Sequence, residues 1–475
     1  MPTFTPIDDA SELCRLGVHE LGTLFANKSL SPVEVARSAL DRADQINPRL
    51  NAFTFLDREG AMDSAKASEA RWRRGEPLSP IDGIPTTVKD FVWVKGWSVR
   101  YGSLTTPFEP MCEDAPAVGR LRAAGAVLIG QTTTPEFGWK GVTDSALAGI
   151  TRNPWDARMT PGGSSGGAAV AAAVGAGVLH LGTDGGGSIR IPASLTGTAG
   201  LKPSFGRVAA YPPSPFGTLA HIGPMTRRAS DLQPMLQAMI GRDMRDWYQG
   251  AAGVGDLDNL SRRTGSVRVG YWTKSSFGTV GSAIAALMSG VVERLAKAGV
   301  ETEPVTLPDL DLFAIFENHW LAGAAARLST VPEGSRDQVD PGFVRLAKRG
   351  AAVPAVALAL AQAQRAEFGR QMDQLLSRFD FLISPATPHA AFEVGAEDPS
   401  DTESARWWEL TGFTFPMNLS QQPACVIPMG QTPSGLPAGL QIVGARGDDA
   451  NVLSVAVDWE NLLAQANQEN EQSRP

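Results

Sequence analysis

The chain has 475 residues, of which 43% are hydrophobic and 19% charged, so it carries enough apolar material for a large core and is not an intrinsically disordered sequence. With 50 acidic and 42 basic residues it has a net charge of -8, and no run of Lys or Arg offers an electrostatic footprint for phosphates, which argues against nucleic acid as a direct ligand. Its three cysteines, Cys14, Cys112 and Cys425, are too few and too scattered for a disulfide framework or a zinc site and point to a reducing cytoplasm. The first residues show no basic segment leading into an apolar one, as a secretory signal would. The longest candidate membrane stretch, Ala168 to Leu179, is rich in Ala and Gly and falls short of the roughly 18 to 20 apolar residues that span a bilayer.

The first clear element opens at Ser31, where Pro32 suits the first helical position and Glu34 completes a capping box. The helix should reach about Ile46 and stop at Asn47-Pro48, because a residue before proline is pushed out of the helical region. From Ile84 short apolar runs alternate with helical patterns. A strand through Val88-Lys89-Asp90-Phe91-Val92 precedes a helix from about Asp114 to Ala124 and a strand over Ala126 to Ile129. An Ala-rich helix from about Ser165, a strand near Val178 to Leu181 and a helix opening near Ser188 continue the theme. This alternation predicts crossover units and a largely parallel sheet.

Beyond residue 230 the pattern returns as a strand at Val267 to Tyr271, a helix from about Ser282 to Lys297 and a strand at Val300 to Val305. Further strands are expected at Phe379 to Ile383, Ala424 to Ile427 and Leu440 to Val443. A last helix, about Asp449 to Ala464, should give way to a frayed polar tail. No Pro/Gly/Ser-rich linker and no internal repeat divides the chain, which favours one α/β domain over residues 1–475, decorated at about 206–345.

Two glycine-serine loops carry the chemistry. The first is Gly162-Gly163-Ser164-Ser165-Gly166-Gly167 and the second Gly182-Thr183-Asp184-Gly185-Gly186-Gly187-Ser188, with 24 positions between Ser164 and Ser188. Gly185, Gly186 and Gly187 can turn N–H groups toward an oxygen on the carbon that Ser188 attacks, which is an oxyanion hole; one such donor is worth about 2.7 to 4 kcal/mol. A single loop of this kind reads equally as a tight turn or a phosphate nest, but two of them favour a catalytic site, and the Walker phosphate-loop pattern is missing. Gly162 to Gly166 also fits a nucleophile elbow, which would make Ser164 the nucleophile with later Asp and His partners. Of the 5 histidines, only His221 and His389 are downstream candidates for that role, and both read as ordinary loop or core residues.

Several motifs together resemble the amidase signature enzymes. They are GIPTTVKD at 83–90, DAPAVGRLRAAGAVLIGQTTTPEFG at 114–138, TRNPWD at 151–156, the GGSSGG loop, GTDGGGSIRIPAS and GLKPSFGRV, followed by FDFLISPATPHAAF, FTFPMNLSQQPACVIP and GLPAGLQIVG. The resemblance implies an α/β/α sandwich around a large twisted mixed β-sheet, with a signature core at about 80–230. It also implies a Ser-cisSer-Lys triad, which motif matching lays on Ser188 as nucleophile, Ser164 as relay and Lys89 as base, with a cis bond between Gly163 and Ser164. A lysine base must be neutral, so Lys89 should be buried enough to fall from about 10.4 to about 7 or 8. Asp184 and Arg190 are expected to hold the loops and Ser165 to bond near the nucleophile. Gly185, where a larger residue is usual, should leave a roomier acyl pocket, while Trp139, Tyr211 and Phe216 read either as pocket lining or as core.

No metal or organic cofactor is required by such chemistry. The implied substrates are small amides, including anilides, with esters and carbamates (urethanes) as relatives through a shared acyl-enzyme. The second reading is the A subunit of a glutamyl-tRNA(Gln) amidotransferase, which releases ammonia from glutamine. Arg365 matches the arginine that grips the glutamine carboxylate there, whereas WWELTGFTFPMNL lacks the acidic residue expected near Thr411-Gly412, with Glu409 close by as a substitute. Self-association into a homo-oligomer is left open.

Overall fold

The computed structural model describes residues 12–249, 267–396 and 406–472; the chain's first residues, part of the expected decoration and the last residues of the tail lie outside that range. The strands are β1 (Phe53–Leu56), β2 (Pro85–Lys89), β3 (Val127–Thr132), β4 (Asp144–Ser145), β5 (Gly149–Ile150), β6 (Leu179–Asp184), β7 (Ala199–Lys202), β8 (His221–Thr226), β9 (Arg268–Tyr271), β10 (Glu301–Pro304), β11 (Phe381–Pro385), β12 (Ala424–Gln431) and β13 (Pro437–Val443). Eleven of them form one sheet in the order β1-β3-β2-β6-β8-β7-β12-β13-β11-β9-β10, and β4 pairs with β5 apart from it.

The sheet is mixed rather than largely parallel. β3, β2 and β6 run parallel, as do β11, β9 and β10, and every other neighbouring pair is antiparallel. Periodicity located the strands but carried no direction. The turn from β12 to β13 is too short for a crossover, so that pair must be antiparallel.

Alternation along a strand sends side chains to opposite faces, and the cores follow it. Cys425 and Ile427 of β12 join one core with Ile284, Met288, Val291 and Leu295 of the helix Ser282–Lys297 and Trp459 of the helix Asp449–Gln472. Val426 faces the other way, against Ala168, Ala169, Ile189 and Ala193. Helices therefore cover both faces, which is the expected sandwich. A further, aromatic-rich core forms around the helices Leu312–Ser329 and Ala355–Leu376.

The capping box is present: Ser31 Oγ accepts from Val33 N–H at 3.0 Å, and Glu34 accepts from Ser31 N–H at 2.8 Å. The expected stop is not where Asn47-Pro48 put it. The helix runs over Pro32–Leu50 with Pro48 inside it and ends at Asn51 in the left-handed region, φ 51°. Proline in a last turn forfeits one backbone bond, and here the Asn47 side chain fastens the exit by accepting from Ala52 and Phe53 N–H, both at 2.8 Å. At the other end, the helix that begins at Asp449 continues to Gln472, through the stretch expected to fray.

Candidate active site

β2 and β6 are parallel neighbours, with Val88 opposite Leu181, so their carboxyl ends open at the same edge of the sheet. In open α/β sheets that edge is where ligands bind. Lys89 is the last residue of β2, and its side chain is fully buried. Its Nζ lies 2.7 Å from Ser164 Oγ, 3.0 Å from Ser165 Oγ and 3.0 Å from Thr183 Oγ1. Burial pushes Lys89 down to about 7, against a smaller upward pull from Asp184 and Asp90.

A neutral amine has two hydrogens and one lone pair, so one of these three hydroxyls must donate to it. Ser165 Oγ already donates to the Thr183 carbonyl at 3.1 Å and can only accept from Lys89. Ser164 Oγ, the nearest, has no other acceptor among the described residues and can turn its hydrogen onto Nζ. The Gly163–Ser164 peptide bond is cis.

Ser188 stands in the loop between β6 and the helix Arg190–Thr196. Its backbone carbonyl accepts from Ser165 N–H at 3.1 Å, which ties the two serine loops together. Among the described residues its hydroxyl makes no hydrogen bond, and it lines the same cavity as Ser164. Gly187 has φ 132°, and a Cβ there would fall 2.2 Å from Thr414 Oγ1, so no other residue fits.

The oxyanion reading of the three glycines needs one correction. The Gly187 N–H donates to Asp184 Oδ1 at 2.8 Å and is committed to shaping the loop. The amides of Gly185, Gly186 and Ser188 have no partner among the described residues and are the ones free to serve a ligand.

Asp184 anchors that loop from beneath. It pairs with Arg190 at 2.9 Å, both side chains being fully buried, and accepts from Ile189 N–H at 3.2 Å and Asn418 Nδ2 at 2.9 Å. Burial alone would raise its carboxyl, but the Arg190 charge and hydrogen bond, with Asn418 and Lys202 behind them, hold it well below the usual carboxylate range. Arg190 also donates to the Thr414 carbonyl and to Gln441 Oε1, at 2.8 and 2.7 Å. Thr414 in turn donates to the Gly186 carbonyl at 2.7 Å. Asp184→Asn leaves a buried guanidinium without its counter-charge, and we expect it to lower stability by about 3 to 5 kcal/mol in urea denaturation. An unchanged midpoint would refute the anchoring role.

A cavity of about 340 Å³ opens above Ser164 and Ser188, with Phe91, Trp93, Tyr101, Tyr211, Phe216 and Trp320 among its walls. Tyr211 and Phe216 thus line the site, whereas Trp139 packs against Phe343 and Trp407 in the core. The room expected beside Gly185 is filled, because the Trp320 ring lies 3.1 Å from where a Cβ would stand. Sequence reasoning missed Thr183, Thr414, Asn418 and Trp320. The first three sit inside the family-like motifs GTDGGGS and FTFPMNL, yet nothing local marks their roles, and Trp320 lies in no motif.

His221 lines the cavity too, but it lacks the surroundings of a triad base. Its Nδ1 bonds the Leu219 carbonyl at 2.8 Å and its Nε2 faces Lys202 Nζ at 3.3 Å, and burial and the Lys202 charge drive its pKa well down. His389 lies by Glu409, 3.6 Å away. Arg365 is buried and directed at backbone, donating to the carbonyls of Leu419, Thr218 and Asn418 and to Thr218 Oγ1 at 2.6 to 3.1 Å; it is not among the cavity's lining residues. No group of three or more metal-ligating side chains occurs among the described residues, and no helix there is long and apolar enough to cross a membrane.

The amidase family model matches residues 34–453. The chain belongs to the amidase signature family. Relatives within it differ in what they do. The chain is 34% identical to the A subunit of the glutamyl-tRNA(Gln) amidotransferase of Chloroflexus aggregans, over 95% of this chain and 97% of that one. It is 32% identical to an acylamidase of Rhodococcus erythropolis, over 94% and 95%. The crystal structure of a bacterial aryl acylamidase of the same family superposes with a TM-score of 0.87 at 27% identity, covering 98% of this chain and all (100%) of that one.

Proposed function

We propose that this amidase signature protein is a serine hydrolase that cleaves carboxylic amide bonds through an acyl-enzyme at Ser188, with anilides, esters and carbamates as related substrates. Ser188 Oγ attacks the carbonyl and gives its proton to Ser164 Oγ as Ser164 passes its own to neutral Lys89. The proton returns by the same path to the leaving nitrogen, which departs as the amine. Water then repeats the sequence on the acyl-enzyme and frees the acid. The free amides of Gly185 and Gly186, with that of Ser188, are the donors we assign to the developing oxyanion.

The observation that carries this reading is the fully buried Lys89 held 2.7 Å from Ser164 Oγ, at the base of the cavity that Ser188 lines. Treatment with a fluorophosphonate followed by peptide mass mapping should place one adduct, on Ser188. An adduct on Ser164 would instead favour the elbow reading.

The similarity to the A subunits of amidotransferases supports a second reading, glutamine hydrolysis within a multisubunit complex. Against it stand the aromatic walls, ill suited to a zwitterion, and Arg365, most of whose N–H groups are already taken by backbone and Thr218. Ammonia release from glutamine in the presence of amidotransferase partner subunits, exceeding turnover of simple anilides, would reverse the order.

A further inference from the structure

Arg327 is the one cavity-lining cation that the reaction scheme leaves without a task among the described residues. It lies on the helix Leu312–Ser329, where Phe316, Trp320, Gly323 and Arg327 recur at the spacing of one helical face. Trp320 and Arg327 both line the cavity, and Trp320 packs against Gly185, next to the nucleophile loop. Arg327 is seven residues farther along the same face, which at 1.5 Å per residue puts it roughly 10 Å beyond Trp320.

Its guanidinium lies over the Phe137 ring at 4.3 Å and near that of Tyr101 at 5.0 Å. Rings that hold its faces leave the edges, where the N–H donors project, directed elsewhere. Among the described residues only one of those donors has a partner, Thr330 Oγ1 at 3.4 Å. No carboxylate lies within ion-pairing distance among the described residues. The carboxylate whose charge acts on it, Glu136, already accepts from Ser103 Oγ and from Asp340 N–H, both at 2.5 Å. A half-buried guanidinium lining an aromatic cavity, with most of its donors unpartnered among the described residues, is a receptor for a planar anion.

We propose that Arg327 is a specificity determinant that selects amides bearing a carboxylate at the far end of a flat, apolar body, roughly 10 Å beyond the Trp320 part of the cavity. The inference rests on reading this cavity as the amide site. The aromatic walls take the flat body, and Arg327 takes the carboxylate in a bidentate pair. The neutral analogue forfeits that pair and leaves the guanidinium facing apolar surface.

The test is binding to the Ser188→Ala protein, which cannot turn the probe over, of 4′-acetamidobiphenyl-4-carboxylate and of its parent lacking the carboxylate. By calorimetry the acid should bind about 10- to 100-fold more tightly. Arg327→Met should abolish that preference and Arg327→Lys keep part of it. Equal binding of the two compounds by Ser188→Ala alone overturns the proposal without need of a position 327 variant, and so does a preference that survives Arg327→Met. Turnover by the Ser188 protein reads the chemistry separately. If acid and parent bind as described but neither is hydrolysed, the hydrolase reading fails while the recognition by Arg327 stands.

Discussion

Ser188→Ala is expected to lower kcat/KM on any amide that the protein hydrolyses by about 10⁴- to 10⁶-fold, the scale seen when a serine nucleophile is deleted from a site that keeps its other groups. The size of the loss follows from what faces the cavity. Ser188 Oγ has no hydrogen-bond partner among the described residues, while Ser164 Oγ is held by Lys89 at 2.7 Å. In the proposed scheme the first attacks and the second carries a proton. Ser164→Ala removes only the relay, and a water at that position can restore part of it, so a loss of about 10²- to 10⁴-fold is expected there. Neither change should unfold the protein, since each deletes one hydroxyl, and the Ser188 loop is held by Asp184 and the Ser164 loop by Thr143. The pair of variants, assayed on one anilide, separates the two serines. A Ser188→Ala enzyme that keeps more than about 1% of activity beside a dead Ser164→Ala enzyme would make Ser164 the nucleophile.

What the sequence made legible was whatever depends on local pattern. The capping box at Ser31, the helix Ser282–Lys297 and the strand leading into the second serine loop follow from spacing alone, whereas the strand expected through Val88 to Val92 lies at Pro85–Lys89 and the burial of Lys89 was implied only by the family resemblance. What it hid was pairing at a distance. Strand direction depends on which connections are short enough to be hairpins, and the loss of Gly187 as an oxyanion donor depends on Asp184 curling back three residues to take its N–H. The pocket walls come from segments scattered between Phe91 and Arg327, brought together by helices outside the motifs. An aromatic residue in a sequence does not announce which cavity it will face. The misplaced helix stop at Pro48 has the same source: the rule for the residue before proline was right about cost, and a side chain, Asn47, offset it.

Lys89→Met should remove both the base and a titration. In the parent protein kcat/KM should rise with pH and level off above about 7, because in the proposed scheme only neutral Lys89 can accept the proton from Ser164. The variant should lose that limb along with about 10²- to 10⁴-fold of its rate. Its stability should move in the opposite sense to its activity. Between about pH 7 and 10.5 Lys89 is protonated in the unfolded chain and neutral in the folded one, so folding releases a proton there and the parent's stability rises with pH across that window. Below about pH 7 both states are charged and the cost of holding the ammonium in the site is complete, about 5 kcal/mol at 1.36 per pH unit. Above about 10.5 it vanishes. Methionine buries a similar chain without a charge, at the expense of the hydrogen bonds with Ser164, Ser165 and Thr183. The variant should therefore gain on the parent most at pH 6 and progressively less toward pH 10, as read from urea midpoints. Glu460, whose burial lifts it to about 7, titrates in both proteins and largely cancels in the difference. A stability difference that is flat from pH 6 to 10 would mean that Lys89 keeps an ordinary lysine's proton, and a lysine that keeps its proton cannot take one from Ser164.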